Sequence, residues 1–260
     1  MSIWGKIIGG MAGFSLGGPL GGLIGVAIGH AVDKMHAEPR DEAAAFGPDD
    51  GGDDRQMAFT LAVIALSAKM AKADGVVTRS EIDAFKRLFQ IPARDLHRVG
   101  QLFDEARQTA DGFEAYAIQI AGLFRDSPVV LEELMHALFQ IARADGEIDA
   151  AEIAFLGRVA QIFGFSALQF EAIRARAMAG EAPGGAFAGG DAADPYAVLG
   201  VSRNASDREV KETWHRLIRE NHPDILTAKG MPPELIANAN RTMATINAAF
   251  ERIKRERGMK

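Results

Sequence analysis

The chain has no cysteine in its 260 residues. That excludes disulfides, thiolate zinc sites and cysteine nucleophiles, and it fits a reducing compartment. Tryptophan and tyrosine number two each. β-branched runs are few and alanine is abundant, which points to an all-α fold. An excess of positive charge is missing too. The formal net charge is −6, which argues against general nucleic-acid binding. The six histidines show no nucleophile or metal spacing, so neither an enzyme nor a cofactor is expected.

The charge is unevenly spread. From Asp194 onward 12 Lys and Arg face 9 Asp and Glu, a balance of +3, which leaves −9 on the remainder. From Ile7 to Gly29 there is no charged side chain at all. A stretch of that length can cross a hydrocarbon core as a helix. Glycine recurs in it every fourth residue, at Gly9, Gly13, Gly17, Gly21, Gly25 and Gly29. A four-residue period lays these along one slowly drifting helix face, where two backbones can approach closely. The expected role is a membrane anchor at 1–33 that also pairs two copies into a homodimer. Pro19 is tolerable in such a segment. Two other readings stand beside it. One is a cleaved signal peptide, against which the thin charged start and the length both count. The other is a loosely ordered or surface-bound glycine-rich tail. The charges on either side set no orientation.

Residues 34–54 are rich in acids, glycine and proline, and 180–193 in glycine and alanine. Both read as linkers unable to bury a core. Between them, 55–179 has strong helical periodicity and reads as about seven helices. Capping-box pairs mark starts: Thr78 with Glu81, Asp111 with Glu114, Asp149 with Glu152, Ser166 with Gln169. Ser127-Pro128 gives another start, with proline at the first helical position, and Gly164 marks a stop.

This middle region contains a repeat. "AKMAKADGVVTRSEIDAFKRLF" and "FQIARADGEIDAAEIAFLGRVA" both carry Ala-Asp-Gly, with a glutamate seven residues after the aspartate. Asp74, Gly75 and Glu81 correspond to Asp145, Gly146 and Glu152. Two readings compete for the acidic loops. In one, Asp74, Glu81, Asp145, Asp149 and Glu152 hold a divalent cation, and the chain is an ion- or metal-responsive membrane sensor. In the other, Gly75 and Gly146 end helices, Thr78 or Asp149 caps the next one, and Glu81 and Glu152 are the reciprocal halves of those boxes, which accounts for every residue except the two aspartates before glycine. The alternating ligands of an EF-hand are lacking.

The region 194–260 opens with Asp194-Pro195 at a short helix that Gly200 ends. Ser206 and Glu209 form a further capping pair. In the helix from about 207 to 221, at 100° per residue, Val210, Trp214, Leu217 and Ile218 fall on one side. Arg208, Lys211, His215 and Arg219 fall within about 80° on another, with Arg216 at the edge. Leu235, Ala239, Met243, Ile246, Phe250 and Ile253 form a stripe on the last helix. Two such helices joined by a ten-residue loop pack antiparallel. His222-Pro223-Asp224 then lies at the tip, beside a basic face. Proline ends the helix and holds the preceding residue extended, so imidazole and carboxylate are presented rigidly. Taken alone, the tripeptide is equally a plain helix stop.

"DPYAVLGV", "REVKETWHRLIRENHPD" and "INAAFERIK" together resemble the J domain, the DnaJ-type co-chaperone module. The resemblance implies that His222, Pro223 and Asp224 signal to the ATPase of an Hsp70 of the DnaK type. It implies that Arg208, Lys211, His215, Arg216 and Arg219 supply electrostatic docking. Trp214 stands where that family usually has tyrosine, Asn221 replaces the common aromatic, and Ile225 and Leu226 stand where basic and polar residues are frequent. The paired Ala-Asp-Gly units resemble the TerB-like helical domain. With "DILTAKGMPPELIANA", "FERIKRERGMK" and the N-terminal span, the chain resembles DjlA-type proteins, membrane-anchored bacterial co-chaperones. That likeness implies a single-pass protein of the bacterial inner membrane with its C-terminal domains in the cytoplasm, contacting membrane lipid and Hsp70 but no nucleic acid.

Overall fold

A computed structural model describes residues 51–73, 79–89, 91, 93, 96–108, 112–146, 148–179, 194–229 and 231–259. The glycine stripe, Asp74, Thr78, Asp111 and the 180–193 linker lie outside the described residues. The described residues are helical and include no strand. The helices are α1 Gly51–Ala73, α2 Arg79–Phe89, α3 Leu96–Gln108, α4 Phe113–Leu123, α5 Pro128–Ala142, α6 Ala150–Ile162, α7 Ala167–Ala179, α8 Pro195–Leu199, α9 Asp207–Glu220, α10 Pro223–Ala228 and α11 Pro233–Arg257. A 3₁₀ turn, Arg143–Asp145, joins α5 to α6. None of the described helices is long and apolar enough to cross a membrane.

α1 is the middle of the bundle. Every residue from Phe59 to Ala71 is buried, and α3, α4, α5 and α6 all pack against it. A helix covered on all sides has no polar face for periodicity to reveal. It begins at Gly51, so it takes in 51–54 of the acidic stretch. Of its buried polar groups, Thr60 Oγ1 donates to the Gln56 carbonyl at 3.0 Å, and Lys69 Nζ lies 5.1 Å from the centre of the Tyr116 ring on α4.

α5 is the second buried helix, with proline at its first turn as the sequence predicts. α6 starts on a complete capping box. Asp149 Oδ1 accepts from the Glu152 N–H at 2.8 Å, and Glu152 Oε2 accepts from the Asp149 N–H at 3.0 Å. Ser166 and Gln169 make the same reciprocal pair at α7. α4 differs. Its N-cap is Gly112 in the left-handed region at φ 89°, with no side-chain cap, so a glycine turn takes the place expected for Asp111. Gly164 at φ 84° stands at the end of α6 as the sequence predicts.

In the C-terminal region α8 and α9 pack on α11. Val210, Leu217, Ile246, Phe250 and Ile253 are buried together. Each such side chain contributes about 1.5–3 kcal/mol relative to exposure. Trp214 stacks on Phe250 at 4.3 Å and 6° between planes, and its Nε1–H donates to Asn247 Oδ1 at 2.8 Å. Arg257, near the chain end, donates to the Tyr196 hydroxyl and to the Ala205 and Arg203 carbonyls. The expected ten-residue loop is not a plain loop. Pro223 starts α10 inside it, because a proline that ends one helix is well placed as the first residue of the next.

The two helical regions meet. α7 packs against α8 and α11, and α2 against α11. Leu226, Met231, Leu235 and Ala239 belong to the apolar core of the middle domain, not to that of the C-terminal hairpin.

Candidate functional site

His222 is the N-cap of α10, with ψ at 133°. This is the extended conformation that a following proline imposes. Its Nδ1 accepts from the Asp224 N–H at 3.2 Å, so in the neutral imidazole the proton sits on Nε2, the free edge of the ring. Asp224 Oδ2 lies 3.7 Å from the same Nδ1, and the two side chains are 51% and 90% exposed. Pro223 and the cap therefore fix the ring from below while both polar tips face water. Asn221 is buried, and its Nδ2 donates to the Leu217 carbonyl at 2.9 Å. The residue that departs from the aromatic pattern closes the end of α9.

α9 carries the expected cations, with Arg208, His215, Arg216 and Arg219 exposed and Lys211 half-buried. Arg208 pairs with Glu212 and Arg216 with Glu220, each at 2.7 Å and one turn apart. Such exposed pairs are weak in water, so an incoming carboxylate can displace them. His215 leans on Trp214 at 4.5 Å between ring centres. The structure thus places all eight expected residues on one helix and the turn that follows it.

The acidic loops are spread differently. Glu152 is buried and engaged in its capping box, whose other half is the exposed Asp149. Glu81 is buried at the start of α2. The Asp145 side chain, like all of Asp74, is outside the described residues. α2 packs on the Arg143–Asp145 turn, so the two repeat units are neighbours. Among the described residues no group of three or more His, Asp or Glu is arranged to hold a metal ion.

Sequence reasoning missed a buried polar cluster between α5 and α7. Arg176 on α7 is buried and pairs with Glu132 on α5. Its Nη1 donates to the Val198 carbonyl at 3.0 Å. Next to Glu132 on the same helix, burial first and then the Glu132 charge push the Glu133 carboxyl up from the usual 4.5 to about 8. Burial first and then the Arg176 charge push His136 down from 6.5 to about 3. Charged and polar residues at consecutive positions of one helix look like a solvated face, and only packing shows them inside.

A hairpin with a basic first helix and a rigid, exposed His-Pro-Asp is a J domain. Comparison with known proteins agrees. The DnaJ domain family matches residues 194–257, the tellurite resistance protein TerB family 60–175, and the co-chaperone DjlA transmembrane domain 1–55. The co-chaperone protein DjlA of Shewanella oneidensis is 35% identical over the full length of both chains. That of Vibrio cholerae is 32% identical, again over both chains entirely, and that of Coxiella burnetii 30%, over 98% of each. No solved structure matches. The chain belongs to the DjlA family of J-domain co-chaperones, with the family's transmembrane region at its N-terminus.

Proposed function

We propose that this protein uses its J domain to stimulate ATP hydrolysis by an Hsp70 of the DnaK type and to recruit it to a membrane. The anchor at 1–33 holds the chain in the bacterial inner membrane with a single pass, and the acidic linker sets the middle domain, whose first helix takes in 51–54 of that stretch, off the surface. The linker at 180–193 joins it to the J domain, 194–260, in the cytoplasm, where Hsp70 and ATP are. The glycine stripe pairs two copies. What carries this reading is the exposed His222 ring, pinned by the Asp224 N–H at 3.2 Å at the end of the basic helix. His222, Pro223 and Asp224 are the signal. Lys211, His215, Arg216, Arg219 and Arg208 are the electrostatic contact, since exposed charges favour encounter and register more than raw affinity.

The test is single-turnover ATP hydrolysis by DnaK with the full chain added. The His222→Gln variant should drop stimulation to the rate of DnaK alone while the melting temperature stays at the parent's, because the ring is exposed. Normal stimulation by this variant would sink the proposal.

A further inference from the structure

We propose that the middle domain is a dock for this chain's own J domain, and that seating the J domain there holds the segment after Asp224 in its working conformation. The consequence for stimulation rests on the Hsp70 reading; the dock itself does not. Three observations carry it.

The first is close approach. α8 ends on Gly200 at φ 68°, and a Cβ built there would sit 3.1 Å from the Ala172 Cβ on α7. Glycine on one side and alanine on the other bring backbone against helix. Ala172 is buried yet lies outside the middle domain's apolar core. Ala175, three residues on and so on the same face, packs against the J domain's core.

The second is Arg176, one residue further on. Its guanidinium holds Glu132 of α5 on one side and the Val198 carbonyl of the J domain on the other. Removing the J domain takes a hydrogen-bond acceptor from a buried cation, which is costly.

The third is the sequence after the tripeptide. Leu226, two residues past Asp224, is fully buried, and so is Ala239; Met231 and Leu235 are nearly so. All four join the core of the middle domain. Leu226 departs from the J-domain pattern of polar residues because here it has an apolar place to go. Meanwhile His222 and Asp224 stay in solvent, so the docked J domain is still open to Hsp70.

The experiment uses the full chain in phospholipid vesicles, with Ala172→Arg as the wedge and Leu168→Arg, on the exposed side of the same helix, as control. Amide hydrogen exchange over 225–231 and DnaK single-turnover hydrolysis are read on each. Ala172→Arg should speed exchange there about tenfold or more, leave the α5 amides protected, and lower stimulation severalfold. Leu168→Arg should match the parent in both. If Ala172→Arg loosens α5 as well, Ala175→Arg decides by the same readings. Unchanged exchange over 225–231 in the wedge variant overturns the dock. Faster exchange with parental stimulation overturns the positioning role and keeps the dock. If the parent itself fails to stimulate, the Hsp70 reading falls and the positioning role with it, while exchange still decides the dock.

Discussion

Glu133 and His136 sit one turn apart on the buried helix α5, and burial moves their carboxyl and imidazole in opposite directions. The folded Glu133 keeps a proton up to about pH 8 that the unfolded chain releases near 4.5. Its contribution to stability is therefore whole at low pH and declines as pH rises from about 4.5 to about 8. The folded His136 refuses a proton down to about pH 3 that the unfolded chain takes up near 6.5. Its contribution declines as pH falls through that window. Between 4.5 and 6.5 the two slopes oppose; from 6.5 to 8 Glu133 acts alone. Glu133→Gln should remove the alkaline decline. The difference in melting temperature, variant minus parent, should then climb steadily from pH 4.5 to pH 8 and level off above it. A difference that does not depend on pH would mean that the carboxyl is not held neutral. Asn221, read in the sequence as a missing aromatic, closes the end of α9 by donating its Nδ2–H to the Leu217 carbonyl.

No single cation defines the basic face of α9. Arg208 and Arg216 are bridged to acids on their own helix, which lowers the net field of the face. Lys211→Ala together with Arg219→Ala should weaken association with DnaK about fivefold to tenfold at low salt. Parent and variant should converge as salt rises and the Debye length falls from about 10 Å at 0.1 M to about 3 Å at 1 M. Affinity that stays flat across that range would exclude electrostatic docking. The repeat units make a contrasting case. Asp149 and Glu152 satisfy each other's backbone N–H groups, a cap typically worth about 1 kcal/mol. Calcium or magnesium should accordingly leave the melting temperature of the full chain unchanged. A saturable rise would assign the acidic loops to an ion, since a ligand selective for the folded state stabilises it.

On the proposed function, the anchor, the middle domain and the J domain each carry a part of the work. The glycine period in the anchor predicts contact between two copies in lipid, where close backbone approach and not hydrophobicity drives association. Gly17→Leu with Gly21→Leu should still insert, yet lose energy transfer between two labelled copies in vesicles. Leu16→Ala with Leu20→Ala should change neither. Equal transfer in both variants and the parent would leave the segment an anchor only.

Local features are legible in the order of the residues. A serine or aspartate three residues before a glutamate or glutamine, a proline at a first turn and a glycine past a last one each act within a few residues, so Asp149, Ser166, Pro128 and Gly164 could be read directly. The J-domain faces were legible for the same reason: Val210, Trp214 and Leu217 on α9 and Ile246, Phe250 and Ile253 on α11 recur at helical spacing, and a residue before proline has little choice but to extend. Contacts between residues distant in the chain are not legible that way, because they exist only once the helices have packed. That α1 is covered on every side follows from four helices packed around it. That Glu133 and His136 are inside, and that Arg176 reaches across to Val198, depends on residues tens of positions apart coming together. Leu226 shows the limit most clearly. Its apolar side chain beside an exposed tip has no local reason, and it acquires one when the J domain lies against the middle domain and the two share a core.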